Sequence, residues 1–200
     1  MNSKTFDRKD QLIASALDEF IDNNYEQASL NTIIKNANLS KGVFYYHFKN
    51  KEALYIALLE DATNKKWEYI KAHTNNQEYA GLNVFDQFLY QTEISINFAN
   101  EYPKYHRLGG MLLKEKGTPI YKKALEHVGG SGIDILEKMI KEAYDRGDID
   151  NKYPIDFTLQ LLTHLFYEFD SIFYFEDDNL QKKKDVLKHY YAFMRHGLMP

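Results

Sequence analysis

The chain has 200 residues, 44% of them hydrophobic, with 10 glycines, 4 prolines and no cysteine, which excludes disordered and collagen-like classes, thiolate chemistry, disulfides and iron-sulfur clusters. Its 25 lysines and arginines against 29 aspartates and glutamates give a formal net charge of −4, unfavourable on average for a polyanionic partner. The longest run without a charge, Phe157 to Tyr167, covers 11 residues, short of the roughly 20 that a membrane helix needs, and the N-terminal run MNSKTFDRKDQLI alternates charges where a signal peptide is apolar, so a cytoplasmic protein with no membrane partner is expected.

Apolar residues recur at three and four along nearly the whole chain, which predicts an all-α fold. Leu12, Ile13, Ala16, Leu17, Phe20 and Ile21 form one stripe on a first helix from about Arg8 to Asn23, with Asn23 and Asn24 able to end it in the left-handed conformation. Leu30, Ile33, Ile34 and Ala37 form the next stripe, behind Ser29 as N-cap. After only Asn38, Leu39 and Ser40, a third helix is expected from Lys41 to about Phe48, capped by Ser40. A longer helix follows from about Lys51 to His73, and the polar stretch Thr74 to Glu78 marks a joint. Further helices are predicted at about Leu82 to Asn100, Pro103 to Lys116, Pro119 to His127, Gly132 to Asp145, Ile155 to Phe175 and Leu180 to His196. The prolines suit first turns, while Gly129 to Gly132 and Arg146-Gly147-Asp148 read as breaks.

Two short helices joined by a three-residue turn and packed on a preceding helix describe a helix-turn-helix. Phe44 and Phe48 lie four apart and turn inward with Leu39, Ile33 and Ala37, leaving Lys41, Gly42, Tyr45, Tyr46 and Lys49 on the opposite face. From Gln27 to Lys51 there are four lysines and no carboxylate, while the remainder of the chain carries −8. A DNA duplex therefore meets the first quarter of the chain favourably and the rest unfavourably. Tyrosine hydroxyls and lysine ammonium groups suit phosphates and base edges, and Gly42 lets the backbone approach.

The run Ser29-Leu-Asn-Thr-Ile-Ile-Lys-Asn-Ala-Asn-Leu-Ser-Lys-Gly-Val-Phe-Tyr-Tyr-His-Phe-Lys-Asn-Lys-Glu-Ala-Leu54 resembles the DNA-binding signature of the TetR family of bacterial regulators, with the core from Ser40 to Leu54 intact. The resemblance is motif-specific over about residues 8 to 60. It implies that Lys41, Gly42, Val43 and Tyr45 face bases, with Asn31 a further candidate, and that Ser29, Tyr46, His47 and Lys51 contact phosphates. Asn38 stands where the family usually has glycine and Ile34 where a small residue is usual. Asparagine enters left-handed turns more readily than other side chains.

The resemblance also implies a domain division of 1–51 for DNA binding, 52–78 for a connecting helix and joint, and 79–200 for ligand binding and dimerisation. In that last segment Phe88, Tyr102, Tyr105, Tyr121, Tyr144, Phe166 and Phe169 are candidates for an inducer pocket, with a packed core as the alternative for each. Buried phenols need hydrogen-bond partners that a ligand could provide. Phe157, Leu161 and Leu165, with Leu187, Tyr191 and Met194 on the final helix, form stripes that two copies could pair into a four-helix bundle, or that could pack within one chain. His164 and Glu168 could share a metal but lack a third ligand, and Glu93, Glu168 and Asp170 could greet a cationic ligand. No metal site or cofactor is assigned. No Ser-His-Asp order, phosphate loop or catalytic carboxylate pair stands out, so no enzymatic activity is expected. The expected function is a homodimeric repressor that binds a palindromic operator in double-stranded DNA and is released by a small apolar or amphipathic inducer. The alternative is a DNA-binding protein of the same kind without an inducer, in an architectural or cell-division role.

Overall fold

The computed structural model describes residues 3–128, 130–167, 169–173 and 180–198. Among these residues the regular elements are all helices: α1 (Ser3–Asp22), α2 (Leu30–Asn36), α3 (Lys41–His47), α4 (Lys51–His73), α5 (Asn76–Ala80), α6 (Val84–Glu101), α7 (Pro103–Lys114), α8 (Pro119–Val128), α9 (Gly130–Arg146), α10 (Ile155–Tyr167), α11 (Phe169–Ile172) and α12 (Leu180–Leu198). They pack as two units, one of residues 1–68 and 98–129, the other of residues 69–97 and 130–200. Residues 98–129 thus pack with the N-terminal unit and residues 69–97 with the second.

In the first unit α1 packs against α2 and α7. Its inward stripe, Leu12, Ala16, Leu17, Phe20 and Ile21, shares a core with Ile33 and Ile34 of α2, Phe44 of α3, Leu54, Tyr55 and Leu58 of α4, Leu108 of α7 and Ala124 of α8. Each large apolar side chain buried there contributes about 1.5–3 kcal/mol. The turns follow from local chemistry. Ser29 Oγ accepts from the Thr32 N–H to start α2 and Ser40 Oγ from the Val43 N–H to start α3. Asn38 takes the left-handed conformation, φ 53°, and lets the Leu39 N–H reach the Ile34 carbonyl at 3.1 Å, which closes α2. Asn23 and Asn24 do not do the same for α1. Asn38 is the one non-glycine residue at positive φ among the described residues. Asn24 instead accepts the Gln27 N–H, three residues on, on its side-chain oxygen at 2.8 Å, as a capping residue does.

In the second unit α9 packs against α10 around Val84, Phe85, Ile140, Ala143, Ile149, Leu162 and Met194. Gly147, at φ 82°, ends α9 where Arg146-Gly147-Asp148 predicts a break. Of the break expected at Gly129 to Gly132, Gly130 to Gly132 already belong to α9, and Gly129 lies outside the described residues. The joint expected at Thr74 to Glu78 holds the short helix α5, started by the Asn75 side chain accepting from Gln77 and Glu78. Of the single helix expected from Ile155 to Phe175, Ile155–Tyr167 and Phe169–Ile172 are helical, and Glu168, Tyr174 and Phe175 lie outside the described residues.

Phe44→Ala, which empties a fully buried site, should lower the unfolding free energy by about 3–5 kcal/mol. Asn38→Gly should raise it by up to about 1 kcal/mol, because glycine takes the left-handed region without steric cost. Urea unfolding of the two variants checks both. A destabilised Asn38→Gly would mean that the asparagine side chain holds this turn.

Candidate nucleic-acid interface

The seven residues of α3 make a rod about 10 Å long, and only Phe44 among them is buried. Phe44 enters the core, with Leu39 before the helix and Phe48 after it half-buried against the same core. Since the side chains of a short helix cannot all reach one core, Lys41, Gly42, Tyr45 and Tyr46 are exposed, as is Lys49 just beyond α3, while Val43 and His47 are half-buried. Tyr45 is 59% and Tyr46 78% exposed. Tyr46 lies edge-on to His47 at 4.9 Å and Tyr45 edge-on to Phe44 at 5.1 Å. Two phenols, two ammonium groups and a bare stretch of backbone thus share one exposed surface. Asn31 is exposed on the first turn of α2. Ser29 uses its oxygen to accept from Thr32 at 3.3 Å and its N–H to donate to Glu19 at 2.8 Å, which leaves its hydroxyl proton available to an acceptor.

Gly42 is not demanded by anything inside the protein. A Cβ added there would lie 3.7 Å from Ser40 Oγ, an ordinary contact. The absent side chain therefore opens space only toward the outside, where the backbone of α3 can come close to a partner.

Lys51 is engaged within its own chain. Its ammonium donates to the carbonyls of Tyr25, Glu26 and Ala28 at 2.6, 3.3 and 3.0 Å and sits 4.6 Å from the centre of the Tyr25 ring. An ammonium has three protons, and three carbonyls use them, so the side chain clamps the α1–α2 turn. Nothing in the local sequence signals this, because the acceptors are main-chain atoms more than twenty residues away.

The other predicted sites separate. Tyr102, Tyr105 and Tyr121 belong to the first unit, whereas Phe88, Tyr144, Phe166 and Phe169 belong to the second. Tyr105 donates to Asp61 at 2.7 Å, and burial together with the Asp61 charge pushes its phenol up to about 12. Tyr144 donates to the Tyr153 carbonyl at 2.8 Å. These phenols need no ligand to satisfy them, which removes that argument for a cavity at both. Phe88 and Phe166 are in contact, centroids 4.0 Å apart, Phe169 packs on Tyr190 and Phe173, Tyr102 stacks on Phe98, and Tyr121 packs on the first core.

Of the side chains expected at a dimer surface, Phe157 is half exposed, Leu161, Leu165 and Leu187 are half-buried, and Tyr191 and Met194 are buried within their own unit. Tyr191 hydrogen-bonds Thr92 at 2.9 Å. It points inward because its helical phase matches Tyr190 and Met194 on the core side of α12. Phe193, 78% exposed, was not singled out by the sequence. With Phe157, Leu161, Leu165 and the edge of Met194 it lines an open apolar groove of about 470 Å³. Among the described residues no three His, Cys, Asp or Glu are grouped to hold a metal, and no helix is long and apolar enough to cross a membrane. Glu168 lies outside the described residues.

Residues 12–58 match the model of the bacterial regulatory proteins of the tetR family, a span that holds α2, α3 and the turn between them. The chain is 32% identical over 115 residues to the HTH-type transcriptional regulator QacR of Staphylococcus aureus, covering 53% of this chain and 61% of QacR. It is 32% identical over 78 residues to IcaR of Staphylococcus epidermidis, named the negative transcriptional regulator of the biofilm operon icaADBC, covering 38% of this chain and 42% of IcaR. The chain thus spans less than two thirds of either relative. A solved gamma-butyrolactone receptor, described as ArpA-like, has the same fold, with a TM-score of 0.64 at 18% identity over 98% of this chain and 90% of that one.

Gly42→Ala should leave the unfolding free energy unchanged or raise it by about 0.5–1 kcal/mol, since alanine favours helix, while weakening duplex binding at least about tenfold if the backbone of α3 approaches DNA. Binding isotherms and urea unfolding on one preparation measure the two quantities. A variant that binds duplex as the parent does would place the close approach elsewhere.

Proposed function

We propose that the chain, whose residues 12–58 match the tetR family of bacterial regulatory proteins, is a regulator of that family and acts as a homodimeric, sequence-specific DNA-binding repressor that a small apolar or amphipathic molecule releases from a palindromic operator. The exposed face of α3 carries this reading. An α-helix fits the roughly 12 Å wide major groove, and here the face opposite the buried Phe44 presents Lys41, Gly42, Tyr45 and Tyr46, with Lys49 beside them. Lys41 and Val43 near the helix start are the candidates for base edges, with Asn31 from α2. Tyr46, Lys49 and Ser29 are the candidates for phosphates, and His47 is reachable only at its exposed edge.

One such head offers few contacts, and two heads held by a dimer bind one operator as linked events. The apolar groove bearing Phe157 and Phe193 suits a second copy, since two exposed phenylalanines on neighbouring helices can pair across a two-fold axis into a four-helix bundle. Repression is the polarity borne by the IcaR name, and the small-molecule half of the reading draws on a neighbour of the same fold that is named as a receptor. The second unit, rich in aromatic side chains such as Phe88, Tyr144 and Phe166, is where an apolar ligand finds its surface.

Lys49→Ala should reduce the slope of log affinity against log salt by about one unit, and Lys51→Ala should leave the slope unchanged while lowering stability. Lys41→Ala should cost about 1–3 kcal/mol at one half-site position and little elsewhere; uniform weakening across duplex variants would restrict Lys41 to phosphate. Phe157→Asp with Phe193→Asp should yield monomers in sedimentation, and an intact dimer would move the interface. A ligand that releases DNA must bind more weakly to the DNA complex by the same factor, so calorimetry with equal ligand affinities in both states would exclude it as the switch.

A further inference from the structure

The turn between α1 and α2, residues 23–28, is held by charged groups on several sides. Lys51 grips its carbonyls, as described above. Glu19 accepts the Ser29 N–H at its exit at 2.8 Å. At its entry the Tyr25 N–H donates to Glu115 Oε1 at 2.7 Å, across 90 residues of sequence. Glu115 caps the C-terminus of α7 and is only 6% exposed. The Tyr25 ring lies 5.1 Å from Tyr55 and 6.4 Å from Phe20, and burial raises the phenol of Tyr55, helped by the Glu115 charge.

Several other polar ties from α7 and α8 to α1 and α4 in this unit lie at the surface. Lys104 to Asp18, Arg107 to Asp22, Lys123 to Glu52 and His127 to Glu60 are all largely exposed ion pairs, each worth little in water. A carboxylate hydrogen-bonded to a backbone N–H in a buried setting is stronger and more exacting in geometry. The turn it holds leads directly into Ser29, the N-cap of α2, and so sets where α2 and then α3 begin.

We infer that Glu115 is a positioning residue for DNA reading: through the Tyr25 N–H it fixes the α1–α2 turn and thereby the placement of α2 and α3, without touching DNA itself. The assignment rests on the DNA-binding reading above. It makes the end of α7 a part of the reading head, remote in sequence but bonded to its entry turn. Moving Glu115 away from Tyr25 frees the turn on one side while Lys51 still holds the other, so the helix pair loses its fixed placement while the chain stays folded.

The test uses the full-length protein and a duplex selected by it from a random pool, compared with a scrambled duplex. Glu115→Ala should weaken binding to the selected duplex about tenfold, with unchanged binding to the scrambled duplex and an unchanged salt slope. Amide exchange at Tyr25 should accelerate. Glu115→Gln, which keeps an acceptor, should restore most of the affinity. If Glu115→Ala does not fold, Glu115→Asp, one methylene too short to reach Tyr25, is read in the same way. A folded variant with faster Tyr25 exchange but parental discrimination between the duplexes would overturn the inference while leaving DNA binding intact. A parent protein that selects no duplex would overturn the DNA-binding reading and this inference with it.

Discussion

Phe44 has no exposed surface and is the one buried side chain of α3, so the orientation of that helix about its axis hangs on a single anchor. A helix of seven residues cannot rotate by one position without withdrawing this ring and burying Tyr45 or Val43 in its place, at a cost of several kcal/mol. Once the ring is seated, the direction of each other side chain on α3 is fixed. The exposed set Lys41, Gly42, Tyr45 and Tyr46 is therefore a consequence of packing, and its chemistry is what remains for a partner to meet.

The supports of this anchor are graded by burial. Leu39 and Phe48 flank Phe44, the left-handed Asn38 sets the angle between α2 and α3, and the Ser29 and Ser40 caps fix where each helix starts. Beyond them the α1–α2 turn is clasped by Lys51 on its carbonyls and by Glu19 and Glu115 on its N–H groups. An ammonium that binds three carbonyls and two carboxylates that bind N–H groups complement the turn's dipoles on each side. The reading head thus depends on electrostatic contacts to its backbone as much as on its apolar core.

Periodicity made the helices legible because each stripe repeats over several turns, and the caps were legible because serine and asparagine act on neighbours three residues away. The inward Phe44 and outward Tyr45 and Tyr46 followed from helical phase alone. What escaped were contacts between distant residues. Lys51 sits where a phosphate contact is expected from the motif, but its carbonyl partners carry no side-chain signature. Glu115 lies 90 residues from its partner. Residues 98–129 pack with the first unit, and local pattern says only that α7 is amphipathic, not which core receives it. Tyr191 and Met194 showed the same ambiguity: α12 has apolar residues over a wide arc, and the tertiary fold chose Tyr190, Tyr191 and Met194 for the core and left Phe193 outside.

The central claim is that the face of α3 opposite Phe44 meets DNA while Lys51 serves the fold. Covalent lysine labelling of the full-length protein, with and without a selected duplex and read residue by residue, tests it directly. Lys41 and Lys49 should label readily in the free protein and be protected by the duplex, and Lys51 should label slowly in both states. Unchanged labelling of Lys41 and Lys49 in the bound state, with protection appearing instead at Lys182, Lys183 and Lys184 of α12, would contradict the account.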